Sequence, residues 1–360
     1  MNLILKRFGV VALLASAGLT WAGEGSGSVT APEPRRVTLQ DKEFTLGATL
    51  KEIKAQTGID VVSKVDGKQV IGDLDLKKVP FWQALDTVAA KANAFVVPSD
   101  PVTLQALAPN QEAPPVSYSG IFRTTIKRIN VSKDLISGVT SCTAVLEVAW
   151  EPGARMFYLT QDSGKTEVRD QANNLLKGIT GVKTERVTEK SSWEVEVRLP
   201  VLPRKAEQYG LVTGRVMVSG TPRMQSVSFP DLTKGQAKGA GSGSGSGTTV
   251  KLVDAELKKD LWNVKVEVSH DEDMPLFESW QSWVFQDEIV VEPVSGGAKL
   301  ELEGMEVDLR EKKGTLTYRF SPPGGKKQAG NVKDWKMTYL TAGRIMETPV
   351  DFSFREVKLP

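Results

Sequence analysis

From about residue 102 onward the apolar residues of this chain recur with a period of two. Val195, Val197 and Leu199 alternate with Glu194, Glu196 and Arg198, and Trp193 continues their series toward the N-terminus. Cys142, Ala144, Leu146, Val148 and Trp150 repeat the pattern, as do Trp262, Val264, Val266 and Val268. Leu316, Tyr318 and Phe320, then Trp335, Met337 and Tyr339, and finally Val350, Phe352 and Phe354 extend it to the C-terminus. Strict alternation places one face of each strand on a core and the other in water, the habit of antiparallel sheets. Turn clusters such as Glu151, Pro152, Gly153 and Pro322, Pro323, Gly324 punctuate the strands. The reading for this region is two antiparallel β-sandwich domains, at 106–233 and 250–360. A Gly/Ser-rich segment at 234–249 separates them; its composition specifies flexible coil, and it is taken as an interdomain linker in preference to a long loop within one sandwich.

The region before Pro101 reads differently. Leu46, Leu50, Ile53 and Thr57 fall on one helical stripe, and Gly58 follows as a C-terminal cap. Phe81, Ala84, Leu85, Val88 and Ala92 form a second stripe, with Pro80 where a helix start tolerates it. Short strands are expected at Ile59–Val62, Val70–Leu76 and Ala94–Val97. With a leading strand from Val37, the order is βαββαβ, a small α+β layer over 37–101.

At the N-terminus, Lys6 and Arg7 precede an apolar stretch from Phe8 to Leu19, and Thr20, Trp21 and Ala22 supply a small-x-small site. Residues 1–22 are therefore read as a secretory signal peptide, too short in its apolar part to span a bilayer, and 23–36 as a tether. No later apolar run is long enough for a transmembrane helix.

Among 360 residues there is one Cys and one His, and 46 basic residues stand against 44 acidic ones. No strong field recruits nucleic acid, no disulfide framework is possible, and acid–base or metal chemistry has few donors. No cofactor is expected. Cys142 sits on an apolar strand face and is read as structural. His270, in the run Ser269 to Asp273, suggests either a cation loop or, in preference, a solvated acidic tip, since its spacing departs from an EF-hand. Gly164, Lys165 and Thr166 end like a phosphate-binding loop, but Leu159 occupies the position of the first glycine. Paired carboxylates on a sheet surface leave a hydrolase open. Trp82 lies about 100° around the helix from Phe81. There it serves either as an exposed anchor for a partner or, more in keeping with its type, packs against the following β region.

The segment Leu46 to Gly58, Leu-Gly-Ala-Thr-Leu-Lys-Glu-Ile-Lys-Ala-Gln-Thr-Gly, followed by Ile59-Asp-Val-Val, resembles the secretin/TonB short N-terminal (STN) domain. So does Leu74-Asp-Leu-Lys-Lys-Val-Pro-Phe-Trp-Gln-Ala-Leu. The resemblance covers about 37–97 and carries no catalytic signature. It implies the periplasm or outer envelope of a Gram-negative-type bacterium and a module that docks to other proteins. The expected function is a non-catalytic envelope protein binding proteins or envelope polymers. The alternatives are an accessory subunit of a secretion or TonB-type uptake complex, or a periplasmic carboxylate-based hydrolase. The sequence sets no oligomeric state.

Overall fold

The computed structural model describes residues 32–188, 191–203, 205–233, 235–238, 248–258, 260–270, 284–323 and 331–360. The fold is largely β, with 22 strands and two α-helices among the described residues.

The first module runs β1 (Arg36–Thr45), α1 (Leu46–Thr57), β2 (Val61–Ser63), β3 (Val70–Pro80), α2 (Phe81–Lys91) and β4 (Ala94–Val97). The Thr45 hydroxyl accepts the Ala48 N–H to start α1. Gly58, at φ 72°, ends it by donating its N–H to the Lys54 carbonyl at 2.8 Å. Leu46, Leu50 and Ile53 of α1 meet Phe81, Leu85 and Val88 of α2 in one core. The unit does not end near Pro101. A further strand, β5 (Val102–Ala106), lies between β2 and β4, parallel to the first and antiparallel to the second. Ala149, from a strand of the next region, also packs in this core.

The next strands are β6 (Val116–Ser119), β7 (Phe122–Lys133), β8 (Thr140–Trp150), β9 (Arg155–Asp162), β10 (Glu167–Arg169), β11 (Val182–Arg186), β12 (Ser192–Leu199) and β13 (Gln208–Thr221). One sheet is ordered β12-β8-β7-β6, the other β10-β13-β9-β11. Cys142, Leu146, Val148 and Trp150 of β8 and Val195, Val197 and Leu199 of β12 face Val212, Val216 and Val218 of β13 within one apolar cluster. That cluster also contains Val350, Phe352 and Phe354 of the last strand, β22 (Met346–Lys358), which pairs antiparallel with β13 from Gln208 to Gly220. Gly214 stands opposite Phe352 in this register. A Cβ there would lie 2.4 Å from the ring, so only glycine lets the ring lie over the backbone.

Between β13 and β22 the chain builds β14 (Met224–Phe229), β15 (Gly235–Lys238), β16 (Thr248–Lys258), β17 (Leu261–His270), β18 (Glu288–Pro293), β19 (Glu301–Arg310), β20 (Lys313–Ser321) and β21 (Trp335–Ala342). They form sheets ordered β14-β21-β18 and β15-β16-β17-β20-β19. Trp262, Val264 and Val266 of β17, Tyr318 and Phe320 of β20, and Trp335, Met337 and Tyr339 of β21 share a second apolar cluster.

The strand pairings do not follow the expected division into 106–233 and 250–360. The second set of sheets is inserted between two neighbouring strands of the first, so 346–358 pairs with the earlier region. Nor does 234–249 separate two units. Gly235–Lys238 pairs with Thr249–Leu252, so residues 239–247, outside the described set, join neighbouring strands of one sheet.

A groove beside an open strand edge

The prolines at 114 and 115 border a concavity beside β7. β6 pairs with β7 only from Phe122 to Thr125, and the Ile126 N–H donates to the Pro115 carbonyl at 3.2 Å. Proline has no amide hydrogen, so pairing on that side of β7 stops there. From Lys127 to Lys133, β7 pairs with β8 alone among the described residues. A bulge between Ile126 and Arg128 bends the strand at this point.

Beside the open edge lies a groove of about 620 Å³, walled by Phe95 to Pro98, by Gln111 to Pro115 and by Glu356 to Pro360. Ile126 and Ile129 contribute to it from β7. Glu356, at φ 52°, breaks the alternation of β22: Phe354 is buried, Arg355 and Glu356 are exposed, and Val357 turns inward again. The left-handed kink thus sets the C-terminal wall.

Several charges at the rim are paired. Lys127 Nζ lies 2.8 Å from Glu194 and 3.2 Å from Glu147, and Arg128 Nη2 lies 3.1 Å from Glu194. The bond from Lys127 lowers the Glu194 pKa, and the same contact raises that of Lys127. Lys358 Nζ donates to both carboxylate oxygens of Glu112 at 2.8 Å. An apolar floor with a balanced rim and an open backbone edge suits an extended chain carrying apolar side chains.

Trp82 is not at this surface. It is 2% exposed, and its Nε1–H donates to the Ile121 carbonyl at 3.0 Å. It packs at the edge of the module's core beside Phe81, and the turn before β7 covers it, so it lies against the following β region and is no exposed partner anchor. Around it, Asp86 accepts Arg123 Nε and Nη2 at 2.8 and 2.9 Å and the Tyr118 hydroxyl at 2.7 Å. Glu151, 4% exposed, accepts the Arg35 N–H through both oxygens at 3.1 and 3.2 Å. Burial pushes its pKa up to about 7 against the opposing pull of Arg35. These groups form the joint between the first module and the rest of the chain.

The remaining candidates fall elsewhere. Cys142 is buried, its thiol pKa raised by burial, with the Tyr209 hydroxyl 3.3 Å away. His270 ends β17 and is buried; Asp271 to Asp273 lie outside the described residues. Gly164 and Lys165 sit in a single 3-10 turn, and the Gly164 N–H, which a phosphate loop would offer to its ligand, donates to the Asp162 carboxylate at 2.9 Å. Asp287 is a second sheltered acid, half-buried as a residue. The hydroxyls of Tyr339 and Thr341 donate to its Oδ2 at 2.9 Å each, and burial holds its pKa well above the usual carboxylate range. Neither Glu151 nor Asp287 lines the groove.

Sequence reasoning missed the groove because its walls come from four separated segments. The local signal was Pro114 and Pro115 directly before a strand, a mark of interrupted pairing. Among the described residues no cluster of three or more potential metal ligands occurs, and no helix is long and apolar enough to cross a membrane. Compared with family models, characterised proteins and solved structures, the chain matches none.

Proposed function

We propose that this chain is an exported envelope protein that works by binding, and that its groove and the open edge of β7 accept an extended polypeptide strand. In this reading the first module is an STN-like docking unit, and the two sheet pairs are β-sandwiches, one inserted into the other. The basic and apolar leader with its small-x-small site supports export. The resemblance over 37–97 supports the envelope and a role among protein partners, including that of an accessory subunit in a secretion or uptake complex.

The observation that carries the binding reading is the coincidence of an open backbone edge, Lys127–Lys133, with an apolar-floored groove of about 620 Å³. Backbone groups on such an edge supply affinity by strand addition, and the adjoining pocket supplies side-chain selectivity. A photo-reactive residue at Ile129 is expected to crosslink to a bound strand in cells producing the protein. An Ile129→Pro variant, which interrupts the edge, is expected to abolish binding of the recombinant captured partner. Val182→Pro, on the exposed strand β11, should leave it intact. Equal loss in both variants, or none in either, would end the reading.

A further inference from the structure

Beyond Ile129 the β7–β8 hairpin projects from the body: Asn130–Lys133, Thr140 and Ser141 are all exposed. Its tip displays large aliphatic side chains, with Leu135 88% and Ile136 100% exposed. The tip is held in shape. The Asp134 carboxylate accepts the N–H groups of Ile136 and Ser137 at 2.8 Å, which lowers its pKa. The Asp134 N–H donates to the Val139 carbonyl at 2.8 Å, and Gly138, at φ 72°, donates back to the Asp134 carbonyl at 2.9 Å. A turn of this type needs no aliphatic residues, and showing two of them to water invites association.

We infer that β7 pairs edge to edge with β7 of a second copy, antiparallel about a two-fold axis at Val131, seating each copy's Leu135–Ile136 tip in the other's groove. The inference rests on the reading of the groove as a strand-binding site and names the strand. The groove borders β7 and the knob caps the turn that follows the same strand, so one patch carries both halves of the contact, the self-complementarity that an isologous contact demands. With Val131 opposite its own counterpart, Lys133, the last residue of β7, stands opposite Ile129 of the second copy, which lines the groove. At roughly 3.4 Å per residue the strand carries Lys133 about 7 Å from the axis, and the turn beyond it holds Leu135 and Ile136 over the mouth of the groove. The same register brings Arg128 to the end of the partner strand, next to its Asp134. Centring one residue earlier, on Asn130, would set Lys127 against Lys133, a like-charge pair that sheets disfavour. A bilayer is the weaker occupant: the tip's one cation, Lys133, adjoins Asp134, and the tip has no aromatic residue to anchor at a membrane interface.

Sedimentation velocity of the mature chain across a dilution series tests this. A dimer is expected, with its dissociation constant raised at least about tenfold by Ile136→Asp, a change at a fully exposed position that leaves the circular dichroism spectrum unaltered. Val131→Cys, made with Cys142→Ala because Cys142 stands opposite Val131 within the copy, is expected to give a disulfide-linked dimer under mild oxidation. A chain that is monomeric throughout overturns the inference, as does a dimer indifferent to Ile136→Asp. Flotation with phosphatidylglycerol-containing vesicles that is lost in Ile136→Asp would overturn it in favour of lipid. A monomer whose Ile129 photo-crosslinker still captures a different strand would sink the dimer and leave the groove reading standing.

Discussion

The molecule has two joints, and their polar bonds differ in how deeply they are buried. The first module meets the body through charged and strongly polar groups: the Asp86–Arg123 pair with Tyr118, the Trp82 indole on the Ile121 carbonyl, and the Arg35 amide on Glu151. The inserted unit meets it through Phe157, which belongs to β9 yet packs in the inserted unit's core, through Gln286, which donates to the Val187 carbonyl at 3.1 Å and accepts from Arg155 at 3.4 Å, and through a long, half-exposed Arg155–Glu288 pair at 3.8 Å. One chain segment, 107–115, links the first module to the body. Two crossings, 222–223 and 343–345, link the inserted unit. A unit tied at both ends has its orientation largely set by the chain, and Phe157 with a few weaker polar contacts completes it. A unit tied once needs directional bonds to fix its pose.

If that contrast is right, the polar joint should fail most severely when one partner of a buried pair is removed. Asp86→Ala leaves Arg123, 2% exposed, without its counter-charge, and a loss of about 3–5 kcal/mol is expected. Urea unfolding should then resolve a separate early transition for the first module. A single unchanged transition would count against the joint's role.

Next in size is a pH effect. Folding raises the Glu151 pKa from 4.5 to about 7, so the folded chain holds this proton more tightly than the unfolded one. The stabilisation is full below pH 4.5 and fades as pH rises through 7, about 3 kcal/mol in all at about 1.4 kcal/mol per pH unit. Thermal melts of the wild type should decline across that window, and Glu151→Gln should flatten the decline. Asp287 shifts in the same direction, so Asp287→Asn serves as the parallel test for the inserted unit.

Smaller changes sharpen the contrast. Trp82→Phe removes one hydrogen bond and part of the indole's packing, for an expected cost of about 1–2 kcal/mol in the first-module transition. The Ile121 carbonyl keeps the Glu151 N–H at 3.1 Å, which limits the damage. Gln286→Ala, at the other joint, should cost about 1 kcal/mol and leave that transition in place.

The elements of the first module were legible because helical stripes and caps are local. Leu46, Leu50 and Ile53 announce α1, and Gly58 its end. The strands were legible too, since alternation such as Val195, Val197 and Leu199 survives any tertiary setting. What alternation specifies is a face and not a neighbour. Nothing local to Phe352 says that it belongs opposite Gly214, well over a hundred residues earlier, so the insertion was invisible. A Gly/Ser run reports flexibility and is silent on whether the strands at its ends pair. Ala149 and Val145 alternate onto the expected wet face, yet both are buried. For Ala149 the cause is the first module, which contributes the core it packs in. For Trp82, periodicity gave an angle about the helix axis and left two readings open; the preferred one, packing against the following β region, is the one its bond to the Ile121 carbonyl bears out.

The pairing of β13 with β22 also sets a schedule. On the ribosome, β13 emerges with one edge vacant and must wait while the whole inserted unit is made before its neighbour arrives. The inserted unit has all its own strands in hand by Ala342 and can collapse first, bringing the ends of the gap together and shortening the loop that the final pairing must close. A lesion inside that unit would therefore be felt in the earlier sheets as a strand that never arrives.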